Sequence, residues 1–147
     1  MRLRLLIAVA VVVVGAVGFV LARWLTTENR ERDQVVELLA AQARGDAEEM
    51  LDVLAPACAR DTACREAVDA NAHELRRDGD PKIIAYESST AYALGGATGE
   101  TRVAWTVVDG SLPVVQCVTV RREGTALTGR TVTLLAISTP IGNEASC

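Results

Sequence analysis

Between Leu5 and Ala22 the chain reads LLIAVAVVVVGAVGFVLA, with no charged, amide or hydroxyl side chain. At 1.5 Å per residue such a helix is roughly 27 Å long, close to the hydrocarbon thickness of a bilayer. Its flanks fit that solvent. Trp24 falls where an indole favours the headgroup boundary, and Arg4 and Arg23 can reach outward from the two ends. The expectation is an N-terminal transmembrane helix acting as a membrane anchor, residues 1–27, with residues 5–25 in contact with the membrane. The competing reading is a cleaved secretory signal, because Ala16, Gly18 and Ala22 place small residues where a signal peptidase cuts. The run is longer than the ~7–15 residues of an ordinary signal core, which favours a retained anchor. Either reading exports the domain beyond it.

Charge divides at the same place. Arg2, Arg4 and Arg23 surround the apolar run, whereas from Glu28 onward 12 Lys+Arg face 19 Asp+Glu, a net charge of −7. So acidic a domain is repelled by phosphate backbones and by anionic lipid headgroups, and no nucleic-acid partner is expected. The positive-inside balance is nearly even, since Arg23, Arg30 and Arg32 follow the run while Arg2, Arg4 and the amino terminus precede it. Topology therefore rests on the cysteines.

Cys58, Cys64, Cys117 and Cys147 all lie beyond the apolar run, and an even number suits an oxidising compartment. Three pairings are possible. The short loop CARDTAC makes Cys58 with Cys64 the natural first pair, leaving Cys117 with Cys147. The nine residues after Ser138 reach up to about 30 Å, enough to return alongside Cys117 if the last two strands form a hairpin. Two alternatives remain: a metal held by Cys58, Cys64 and His73, whose spacing matches no zinc knuckle or ribbon, and four buried free thiols in a cytosolic domain.

Residues 28–147 read as one α+β domain: three helices packed on a four-stranded antiparallel sheet. Residues 28–44 place Val35, Leu38, Leu39 and Gln42, with Val36, Ala40 and Ala43, on one face of a helix. No Gly or Pro separates Leu25 from Glu28, so the first helix can run straight into this one. Gly45 supplies its C-cap, Asp46 and Glu49 resemble a capping box for a second helix, and Pro56 is expected to stop that helix. A third helix is expected over 62–77, ended by Asp78-Gly79-Asp80-Pro81. Four β-rich runs come after it, at 82–94, 101–109, 114–122 and 126–138, separated by GGATGE, GSLP and EGT. Links this short imply antiparallel hairpins, with the helices covering one face.

The phrase from Ala43 to Leu54, ARGDAEEMLDVL, resembles the nuclear-transport-factor-2-like superfamily, the cystatin-like cone. There a first helix ends at Gly-Asp, an acidic, Leu-rich second helix comes next, and a curved antiparallel sheet closes the fold. The resemblance covers residues 28–138 and implies a cone that can hold a pocket. One departure stands out: the family's short hairpin before the third helix has only the Cys58 to Cys64 loop in its place. Anchored versions with paired cysteines are similar to the mammalian-cell-entry-associated and other small exported membrane proteins of actinobacteria, where such a domain is an accessory part.

Chemistry-bearing residues are few. His73, the one histidine, has Asp69, Arg76 and Arg77 at helical spacing, which describes a solvated face. Tyr86, Tyr92, Trp105, Gln116 and Arg130 are the candidates to line a pocket or an interface; the bland reading is that Trp105 and one tyrosine are core and the rest decorate the sheet. Neither Asp109 nor Glu87 makes a convincing carboxylate base. No nucleophile elbow, phosphate loop or dinucleotide fingerprint occurs, and no cofactor is expected. Val103, Trp105 and Val107 alternate with Ala104, Thr106 and Val108, so both faces of that strand are largely apolar and the outer one wants cover from a second copy or an envelope protein. The expectation is a bacterial extracytoplasmic accessory or interaction domain at the cell membrane rather than an enzyme; the alternatives are a carrier of a small apolar ligand or lipid, or an isomerase or cyclase of the same fold.

Overall fold

The computed structural model of the chain describes residues 2–90, 96–107, 112–125 and 129–147, with the side chains at 2–5, 8, 23–25, 27, 28 and 129 outside that description. The first element, α1, is one helix spanning Arg2–Arg44, 43 residues and about 65 Å long. Nothing in its middle breaks it: the Thr26 hydroxyl donates back to the Ala22 carbonyl at 2.7 Å. Gly45 ends it at φ 78, with its N–H on the Gln42 carbonyl and the Asp46 N–H on that of Ala41, both at 3.0 Å.

Burial divides α1 in two. In the C-terminal part Glu31, Val35, Leu38, Leu39 and Gln42 recur at helical spacing and are 0 % exposed. Val36, expected on this face, is 38 % exposed, and Ala41 is buried in addition. In the N-terminal part the apolar side chains face solvent on every side: the consecutive Val11, Val12, Val13 and Val14 are 66, 70, 54 and 71 % exposed. Among the described residues, no helix is long and apolar enough to cross a membrane. This corrects the expected transmembrane helix: the structure shows an exposed apolar segment of a longer helix.

Asp46 caps α2 (Ala47–Val53) by accepting the Glu49 N–H at 2.9 Å. Pro56 does not simply stop α2; it opens a further short helix, α3 (Pro56–Arg60), because proline in a first turn lacks only an N–H that has no intrahelical partner there. Asp61 caps α4 (Thr62–Glu74) through the Cys64 N–H at 2.8 Å, and α4 ends three residues before the expected Arg77. Between α2 and α4 the chain has α3 and a single parallel bridge from Leu54 to Leu134.

The sheet is an antiparallel meander of β1 (Lys82–Ser88), β2 (Ala97–Thr106), β3 (Val114–Thr125) and β4 (Gly129–Ile137), in that spatial order. β2 begins inside GGATGE, the stretch expected to be a turn. Bulges fall between Ile83 and Ala85 and between Thr119 and Val120. Val103 and Trp105 of β2, Val118 and Val120 of β3, and Leu134 and Ile137 of β4 join Val35, Leu38 and Leu39 of α1, Met50 of α2 and Val68 of α4 in one core. The α+β architecture stands, with α1, α2, α3 and α4 as its helices.

Candidate functional site

Charge inside a small core is costly, so the polar groups buried between α1 and the sheet are where this fold departs furthest from simple packing. Glu31 lies one helical turn before Val35 and is 0 % exposed. Its Oε1 accepts from the Tyr86 hydroxyl at 2.6 Å and the Thr101 hydroxyl at 2.8 Å. Its Oε2 accepts from Nε of Arg122 at 2.7 Å, with Nη2 at 2.5 Å in ion-pair contact rather than hydrogen-bond alignment. Nη1 of Arg122 donates to the Thr90 carbonyl at 3.2 Å. Gly99 makes room for that carbonyl's turn, since a Cβ there would lie 2.4 Å from the Ser89 hydroxyl and 2.8 Å from the Thr90 methyl.

A second cluster lies further along α1. Gln42 and Gln116 exchange amide hydrogen bonds of 3.0 and 3.3 Å, and Gln116 Oε1 also accepts from the Trp105 indole at 2.8 Å. Gln116 Nε2 and Asn71 Nδ2 both donate to the Ser138 carbonyl, at 2.9 and 3.0 Å. α1 is therefore pinned to the sheet at two points, 31 and 42, about three turns apart.

Both Glu31 oxygens face donors, and the side chain is 0 % exposed. Burial, and then the hydrogen bond to Glu31, raise the Tyr86 phenol far above its usual range, which keeps it a donor. What the arrangement does is fix register: a slide or turn of α1 would strand two buried charges.

The candidate residues are divided between these clusters. Trp105 and Gln116 touch each other, Tyr86 belongs to the Glu31 group, and Arg130 sits opposite Gly124 near the start of β4, 8 % exposed, with Nε and Nη1 lacking hydrogen-bond partners among the described residues. Tyr92 lies outside the described residues. Glu31 and Arg122 are not among the residues the sequence singles out, although Glu31 sits four residues before Val35 and Arg122 two beyond Val120, each continuing an apolar pattern with a charge. His73 is exposed, beside a shallow groove of about 350 Å³ shared with Gly45, Asp69 and Arg76. Among the described residues, no group of acidic, histidine and cysteine side chains could hold a metal.

Cys58 is bonded to Cys64, joining α3 to α4, and Cys117 to Cys147, as the spacing leads one to expect. Two disulfides with no free cysteine belong to an oxidising, extracytoplasmic environment. Comparison of the chain with protein-family models, with curated proteins and with solved structures finds no match.

Proposed function

We propose that this chain is a non-catalytic, extracytoplasmic interaction module of the cell envelope, held against lipid by the apolar part of α1 and presented by the pinned part. The observation that carries the reading is the continuity of α1: one helix is apolar and exposed around residues 9–22 and contributes to the core of a disulfide-tied domain from Glu31 onward. A helix apolar on all sides needs an apolar surrounding, and lipid is the partner whose chemistry matches. Basic Arg2, Arg4 and Arg23 flank the segment and suit anionic headgroups. The domain resembles the cone superfamily in having its helices on one face of an antiparallel meander; Trp105, Met50 and Leu134 fill its interior, which supports an accessory part over a ligand carrier.

The test is purification of the detergent-solubilised full chain with mass spectrometry for bound proteins and lipids, together with flotation on vesicles containing anionic lipid. Flotation of the wild type and its loss in Val12→Asp/Val14→Asp, with a reproducible envelope-protein partner, is the expected result. A stoichiometric small molecule with no protein partner would overturn the reading in favour of a carrier.

A further inference from the structure

The last ten residues are held in two different ways. Ser138 is fixed from four sides: its carbonyl accepts from Asn71 and Gln116, its N–H donates to the Cys117 carbonyl at 2.8 Å, and its hydroxyl accepts the Cys117 N–H at 2.9 Å. After the Thr139-Pro140 step the attachments thin out. Ile141 donates to the Val115 carbonyl at 2.8 Å, and the Arg102 guanidinium reaches the carbonyls of Ala145, at 3.0 Å, and Asn143. Beyond these, residues 142–147 are exposed, and the Cys117–Cys147 bond closes the segment over the outer face of β2 and β3. Val115, whose carbonyl Ile141 reaches, and its β2 neighbour Ala104 are 3 and 7 % exposed.

We infer that residues 139–147 form a redox-releasable strap, hinged at Ser138 and latched by Cys147. The two disulfides differ in how easily they open. In Cys117–Cys147 one residue is half-buried and the other exposed, whereas in Cys58–Cys64 one is 2 % exposed and the other half-buried, so a thiolate meets a more open residue at Cys147. Cys58 and Cys64 are also held in register by α3, α4 and the Asp61 cap, so they stay adjacent when reduced and close again. Among the described residues, the segment before Cys147 is tied to the sheet by the Ile141 N–H on Val115 and by Arg102 on two carbonyls, with one further backbone bond, Ala145 to Gly142, inside the segment.

The reductant is a protein or small-molecule dithiol. One of its thiolates attacks Sγ of Cys147, forming a mixed disulfide and expelling the Cys117 thiolate, which takes up a proton. The second thiol then displaces Cys147, so two electrons and two protons pass from the dithiol to the cystine. The dithiol leaves as a disulfide and the chain holds two thiols. Release uncovers the Val115 carbonyl.

Graded dithiothreitol on the full chain, with alkylation mapping and amide hydrogen exchange at each step, tests this. The expected result is reduction of Cys117–Cys147 before Cys58–Cys64, with exchange at the Ile141 N–H faster by on the order of 100-fold while the Cys117 and Leu38 amides keep their protection. Cys147→Ser should show the same exchange pattern without reductant and unchanged Trp105 fluorescence. Cys58–Cys64 opening first, both bonds opening only with global unfolding, or an Ile141 amide still protected after selective reduction or in Cys147→Ser would each overturn the inference.

Discussion

The two parts of α1 share one backbone and have opposite surroundings. Around residues 9–22 the valines are 44–71 % exposed; from Glu31 onward the same helix is packed along one face and carries a buried charge. In the first part the side chains determine what medium the helix can occupy. In the second they determine how the helix is oriented against the sheet. A substitution in one part should therefore leave the other's property untouched.

The largest effect is expected where a charge is stranded. Glu31→Leu or Arg122→Met alone leaves an unpaired ion in the core and should cost about 3–5 kcal/mol in urea unfolding, while the double substitution recovers most of it. If each single change cost no more than the double, the pair would not pin the helix. Next, Leu38→Ala should cost about 2–5 kcal/mol, whereas Val14→Ala, on the uncovered part, should change domain stability by less than about 0.5 kcal/mol. Equal losses from the two would mean that the apolar part packs on the domain.

Tyr86→Phe removes a hydrogen bond to a carboxylate and should cost about 1.5–3 kcal/mol at neutral pH. Because the folded phenol titrates above its unfolded value of 10.0, wild-type stability is fully present below that pH and falls as pH rises through it; that loss should be smaller in the variant when denaturation midpoints are compared across pH 8–11. The smallest effect, about 1 kcal/mol, is expected for Asp46→Ala at the α2 cap, with vesicle flotation unaffected.

What can be read from residue order alone depends on how local each determinant is. Gly45, Asp46 and the short links between strands act over a few residues, so the helix break, the cap and the meander are legible. So is Cys58–Cys64, six residues apart, and the Cys117–Cys147 pair comes by elimination and reach. Pro56 misleads because proline has opposite meanings at a helix interior and a first turn. Glu31 and Arg122 are 91 residues apart, and only the folded sheet shows that the charge breaking each apolar pattern answers the other. Residue order suggests that the outer face of β2 wants cover, and it does not show that Arg102 of that strand reaches the carbonyls of Asn143 and Ala145.

The unbroken backbone of α1 has a geometric consequence. Each residue of a helix advances the chain by 1.5 Å and turns it by about 100°, and the contacts at Glu31 and Gln42 hold the domain to one angle on that screw. One alanine added between Ala22 and Arg30 would swing every surface of the domain about a quarter turn around the axis while leaving both ends chemically intact. Seven added residues would restore the heading to within about 20° and lift the domain by about 10 Å. The distance from the apolar segment to the domain and the direction the domain faces are thus one variable, set by counting residues.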